Sequence, residues 1–169
     1  MDESFNKTVN LKDKLTYFYN KNKFIIFMFL GAVIVAIAII IFNDINSKTK
    51  NKLIADKYVK AGIYLASDEK EKSKYLYEEI IKSKNKFYSL LAFNAILEKN
   101  LIKDKEKIIS YFNILEKINY SDNTSDLIVL KKALYLIKNS DIQKGNKLIK
   151  DLIDKNSNLK SLSEEILIK

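Results

Sequence analysis

Histidine, cysteine and arginine are absent from the 169 residues, so chemistry would have to come from 21 carboxylates, 30 lysines and ten tyrosines. Without histidine the usual general base and the commonest transition-metal ligand are missing. Without cysteine there is no thiolate nucleophile, thiolate metal site or disulfide. Paired carboxylates remain as candidates for acid–base work. Two adjacent pairs exist, Glu78-Glu79 and Glu164-Glu165, but neighbours on a helix point about 100° apart and do not converge on one substrate. Three glycines and no proline leave no phosphate-cradling loop of familiar form. These features argue against an enzyme, and they imply no cofactor, no metal and no small-molecule substrate.

The formal charge of +9 invites a nucleic-acid reading. Every basic residue is lysine, however, whereas bidentate contacts to phosphate and guanine favour arginine. A solvated lysine-rich surface fits better than a nucleic-acid patch. The composition, rich in Lys, Asn and Ile and poor in Gly, is that of an AT-rich genome. Aromatic side chains are the remaining recognition chemistry. Tyr58, Tyr64, Tyr88 and Phe93 fall on what are expected to be the first helices of helix pairs, where they would either line a groove for an apolar segment or fill a core.

The element that must position this chemistry is the run at residues 24–42, FIIFMFLGAVIVAIAIIIF, which carries no charge. As a helix it reaches about 28 Å, close to the roughly 30 Å of bilayer hydrocarbon. A secretory signal is shorter and ends at an A-x-A-like site. This run ends instead in Asn43-Asp44-Ile45-Asn46-Ser47-Lys48, and no lipoprotein cysteine follows, so an uncleaved single-pass anchor is predicted. Gly31, Ala32 and Ala36 offer a small-residue face for another membrane helix, although small residues also occur in such helices without that role. Lysines flank both ends in equal number. Lys21 and Lys23 abut one end and Asp44 the other, which places the N-terminus in the cytoplasm and the larger domain outside. Residues 1–23 form a short cytoplasmic segment, read as an amphipathic helix through Phe5, Val9, Leu11, Leu15 and Phe18 or as a tail.

Residues 48–169 read as an all-α domain. Helical stripes run through Leu53–Leu65, Tyr75–Ile81, Leu90–Leu97, Ile108–Leu115, Leu127–Ile137, Leu148–Ile153 and a final stretch from Leu159 to Ile168. Expected N-caps are Ser67-Asp68, Asp104, Ser125-Asp126 and Asp141, with a loop at residues 119–124. Asp68, Asp104 and Asp141 recur at a helix-pair spacing, which puts Tyr75, Tyr111 and Leu148 at one offset and Leu76, Phe112 and Ile149 at the next. The period is close to the tetratricopeptide repeat, and about three such pairs stacked together are predicted, with an irregular bundle as the alternative. Ala61, Gly62, Ala92, Ala133 and Gly145 are the small residues available for close helix contacts.

Layout and short segments together resemble the ancillary Sec-translocon subunit family. The likeness is carried by Asp2-Glu3, Leu11-Lys12-Asp13-Lys14-Leu15, Phe18-Tyr19-Asn20-Lys21, the helix from Lys52 to Ala66, and Phe87-Tyr88-Ser89-Leu90-Leu91-Ala92. The C-terminal part is shorter than is usual there. The resemblance implies a bacterial inner-membrane protein with a tetratricopeptide-like periplasmic domain. Its implied partners are other membrane proteins including the Sec channel, periplasmic chaperones or unfolded clients, and the lipid bilayer. A structural or adaptor subunit of another envelope complex, in cell division or outer-membrane assembly, is the alternative.

Overall fold

The computed structural model describes residues 3–167, with side chains from residue 11 onward. The expected ends at Asp2 and Ile168, and the side chains of Phe5 and Val9, lie outside the described residues. The described residues are all-helical, with seven helices and no strand. The chain divides into two compact units, Met1–Lys50 and Asn51–Lys169.

The first helix, α1, spans Glu3–Ala66, and its residues 3–50 make up the described part of the first unit. The N-terminal segment is therefore helical, and residues 43–47, read from sequence as the end of the anchor, continue the helix without a break. The reason is local: Asn, Asp and Ser weaken a helix only modestly, no Gly or Pro interrupts, and an i,i+4 pair, Lys48 to Asp44 at 2.7 Å, bridges the segment. The apolar stretch is long enough to cross a membrane, and none of it is buried in the protein.

In the second unit, the end of α1 is followed by α2 (Lys70–Lys82), α3 (Tyr88–Glu98), α4 (Lys105–Glu116), α5 (Asp122–Lys138), α6 (Ile142–Asp154) and α7 (Lys160–Leu167). Each helix packs on the next from α2 to α7, and α2 also reaches α4. The joints are tight although none contains glycine. Asp68, Lys84, Asn100, Ser140 and Asn156 adopt the left-handed conformation, with φ between 49° and 70°. Four of these joints have the paired closing bonds of a Schellman motif. At Asp68, for example, Glu69 N–H reaches Tyr64 O at 2.8 Å and Asp68 N–H reaches Leu65 O at 3.2 Å. This corrects the expected cap at Asp68, which ends α1, while Glu69 is the N-cap of α2. Asp104 caps α4 as expected, accepting from Glu106 N–H at 2.9 Å and Lys107 N–H at 3.2 Å. Asp141 is the N-cap residue of α6, but its carboxylate takes Lys144 at 3.0 Å instead of a backbone N–H. The expected cap at Ser125-Asp126 is overturned. Ser121, extended at φ −68° and ψ 156°, starts α5 earlier, and Asp126 is buried inside the helix, bound by Lys155 and Ser157.

Moving the first N-cap by one residue realigns the pattern. Counted from Glu69, Asp104 and Asp141, the buried positions coincide: Ser73, Ile108 and Gly145, then Tyr77, Phe112 and Ile149, then Ile80, Leu115 and Leu152. Tyr75, expected to match Tyr111, is 61% exposed while Tyr111 is 2% exposed. The main core joins Ala61, Tyr77, Ile80, Ala92, Phe93, Ile96, Tyr111, Phe112 and Ile128, and a second cluster joins Leu130, Ala133, Ile149 and Leu152. Small residues set the close approaches. Ser73, Ser89 and Ser163 are fully buried beside Ala61, Ala92 and Ala133, a role the sequence reading gave only to Ala and Gly. Gly62 does not share it, since a Cβ there meets nothing within 4 Å, whereas one on Gly145 would lie 2.8 Å from Ala133 O on α5.

Candidate binding cleft

The four aromatic residues expected at a groove separate in the structure. Phe93 is in the core, 4.6 Å from Phe112 and 6.5 Å from Tyr111 in edge-on packing, so it does not line a groove. Tyr58 and Tyr88 touch at 5.7 Å, and Tyr58 also meets Tyr77 at 5.7 Å, so these half-buried rings stitch α1 to α2 and α3. Tyr64 stands apart, flanked by the ammonium groups of Lys60 and Lys72 at 5.7 and 5.3 Å, in a shallow cleft of about 380 Å³. Gly31, Ala32 and Ala36 are exposed in the other unit, with open space over Gly31.

The carboxylate pairs diverge as the helical spacing requires. Glu78 takes Lys107 of α4 at 2.6 Å, and Glu79 takes Lys57 of α1 at 3.0 Å and the Tyr75 hydroxyl at 3.1 Å. The Lys57 hydrogen bond holds the Glu79 carboxyl below its ordinary range. Burial, then the nearby Glu78 carboxylate, pushes the Tyr111 hydroxyl well above its ordinary range. Glu164 and Glu165 are both exposed. Among the described residues no group of three or more Asp or Glu is placed to hold a metal ion.

A larger open cleft of about 830 Å³ lies between α3 and α5 and was missed from sequence. Helix α3 contributes Asn94, Leu97 and Glu98, and the left-handed joint adds Asn100, Ile102 and Lys103. The far wall is the C-terminal half of α5, with Lys131, Leu134, Tyr135, Lys138 and Asn139. Lys131 and Lys132 are neighbours on α5 and therefore diverge. Lys131 donates across the cleft to Asn94 Oδ1 at 2.9 Å, while Lys132 turns to α4, meeting Glu116 at 2.9 Å and Asn113 at 2.8 Å. Lys105 donates to Asn139 O at 2.6 Å, tying the start of α4 to the end of α5, where a cation meets the negative end of the helix dipole. Tyr135 is held from behind by Phe112 at 5.9 Å, and burial, then the charge on Asp104, raises its hydroxyl pKa.

One sequence signal could have found this surface. Lys131, Leu134, Tyr135 and Lys138 stand at i, i+3, i+4 and i+7, so they share a helix face that mixes cations with apolar groups. Comparison with protein-family models, curated proteins and solved structures returned no match.

Proposed function

We propose that the chain is a non-enzymatic, membrane-anchored helical-repeat scaffold that holds a protein-binding domain beside the bilayer. The observation that carries this reading is the pairing of a bare apolar stretch in α1 with a second unit that has an open cleft, mixed in polarity and free of converging carboxylates. The spacing of inward-facing residues supports it. Taking α2, α4 and α6 as first helices, the inward positions Ser73, Leu76, Tyr77 and Ile80 have the spacing of the tetratricopeptide signature, and Ser89 and Phe93 have that of its second helix. Sizes are exchanged relative to that signature. The small residue, Ser73 or Gly145, stands at the first position and the large one, Tyr77 or Ile149, at the third. Contact of α2 with α4 beside the sequential contacts is what stacking of the first two pairs would make, although no comparable contact joins α4 to α6.

Within that reading the membrane is the bacterial inner membrane, with residues 1–23 cytoplasmic and the helical domain periplasmic. The chain acts as an ancillary subunit of the Sec translocon that binds emerging clients or periplasmic chaperones. The near-flank charges and the family resemblance support this assignment. Photo-crosslinking of the full chain in its native membrane, followed by identification of partners, tests it. Sec components should be recovered, whereas division or outer-membrane assembly proteins without Sec would place the scaffold in another envelope complex. External protease added to spheroplasts should digest the helical domain, and protection of that domain would reverse the topology.

A further inference from the structure

We infer that the cleft between α3 and α5 takes an extended peptide segment bearing carboxylates on either side of an apolar side chain. This rests on the scaffold reading and names the ligand class of that surface. Lys103, Lys131 and Lys138 converge on the cleft, and none of them forms an ion pair among the described residues. Elsewhere in the same unit Lys57, Lys107, Lys132 and Lys155 each have a carboxylate partner. Of the two acids nearby, Glu98 pairs with Lys99 at 3.4 Å, and Asp104, whose charge reaches Tyr135, accepts from the backbone at the start of α4. Three lysines against these two acids leave the field in the cleft net positive.

Geometry favours a peptide over other anions. Lys131 and Lys138 are two helical turns apart, about 10 Å along the axis, and with the flexible reach of their side chains they match carboxylates at i and i+4 of an extended chain, about 13 Å apart on one face. Between them Leu134, 41% exposed, offers a seat for an apolar side chain. Asn100 brings an amide group that both donates and accepts, as a peptide backbone requires, while Asn139, whose Nδ2 already donates to Tyr135 O at 2.7 Å, offers its Oδ1 as an acceptor. Asn94 Oδ1 is already used by Lys131, which leaves its N–H groups for a carbonyl. A flat anionic bilayer cannot enter a concave site, and nucleic acid would find no arginine and a single half-buried ring, Tyr135, on which to stack.

The test uses the full chain in phosphatidylcholine nanodiscs and a fluorescein-labelled ten-residue peptide with two glutamates four positions apart and a leucine midway, so that all three side chains share one face when extended. Fluorescence anisotropy should give saturable binding that weakens with salt. The double variant Lys103→Glu, Lys138→Glu should lose about tenfold or more in affinity, whereas Lys147→Glu, Lys150→Glu on α6, with the same change in net charge, should lose less than about twofold. All four lysines are exposed and outside every ion pair described, so helicity should be unchanged in both variants. Replacing the peptide glutamates by glutamine should abolish binding. Equal losses in the two double variants, or equal binding of the glutamine peptide, would overturn the inference. So would absence of peptide binding alongside cleft-dependent binding of phosphatidylglycerol vesicles, which would assign the lysines to lipid. A chain that crosslinks Sec components through another face while ignoring the peptide would overturn this inference and leave the scaffold reading intact.

Discussion

Gly145→Ala adds one methyl group where two helices cross, and two effects of known sign oppose each other. Within a helix, alanine is favoured over glycine by about 0.8–1 kcal/mol. Against that, the new Cβ would lie 2.5 Å from Ile137 Cγ1 and 2.8 Å from Ala133 O, about 1 Å inside ordinary contact. Ile137 can rotate, but the Ala133 carbonyl is backbone, so α5 and α6 must separate and loosen the packing of Leu130, Ile149 and Leu152 around it. Overpacking of this kind costs about 1–3 kcal/mol. The net expectation is a loss of up to about 2 kcal/mol, seen as a thermal midpoint lower by up to about 8 °C. Gly62→Ala is the internal control, because nothing lies within 4 Å of its Cβ position and only the helix preference remains. Its midpoint should rise. Far-ultraviolet circular dichroism melts of the full chain in detergent give both numbers. If Gly145→Ala stabilised the protein as much as Gly62→Ala, the α5–α6 crossing would not be close-packed and the reasoning would fail. Adding Ile137→Val to Gly145→Ala should recover little of the loss, since it removes only the Cδ1 contact at 3.2 Å and leaves the γ-carbon and carbonyl contacts.

Asp126→Asn should cost about 1–3 kcal/mol by breaking the bonds from Lys155 and Ser157 to a buried carboxylate. Burial raises the Asp126 pKa, but those bonds and the Lys155 charge outweigh it and hold the carboxyl below the usual range. Its contribution is complete above the unfolded pKa of about 3.9 and disappears as pH falls through the lower folded value, so acid titration of unfolding should show a steeper loss below about pH 4 in the parent than in the variant. At the alkaline end the signs reverse. Burial raises the Tyr77, Tyr111 and Tyr120 hydroxyls, so the unfolded chain releases protons first and stability should fall above about pH 10. Tyr111→Phe keeps the ring against Phe93, removes a hydroxyl without a hydrogen-bond partner, and should move that limb to higher pH in urea titrations. Lys84→Gly should stabilise by about 0.5–1 kcal/mol, because lysine at φ 56° carries a strain that glycine lacks, and a drop in urea midpoint would contradict it.

Helical class and the apolar run were legible because both depend on local periodicity and composition. The capping register was not. Asp68 and Glu69 are both acidic and both precede lysine-rich turns, and only the closing bonds to Tyr64 and Leu65 decide which one starts α2. Asp126 misled for a tertiary reason, since its partners Lys155 and Ser157 come from a turn far along the chain. Serine at the close contacts was not anticipated, because a hydroxyl side chain carries no apolar periodicity, and only the fold shows Ser73 and Ser163 buried. The cleft needed three segments brought together. Only its α5 wall was written as a periodic pattern, whereas Lys103 and Asn100 reach it through a joint whose direction no local preference fixes.

Those joints have a consequence for how the surface can change. A glycine in the left-handed position presents nothing to its surroundings, but here the turning residues carry side chains, and Asn100 thereby displays an amide at the mouth of the cleft. At Asn100 the path of the chain is fixed by main-chain bonds, Leu101 N–H to Ile96 O at 3.0 Å and Asn100 N–H to Leu97 O at 3.3 Å, in which the side chain takes no part. Exchange of the displayed group among Asn, Asp, Ser or Lys, all present at such joints in this chain, would alter recognition while the route of the backbone stayed the same. The bends are thus interchangeable mounting points, and selection on ligand preference can act there one codon at a time without disturbing the helices on either side.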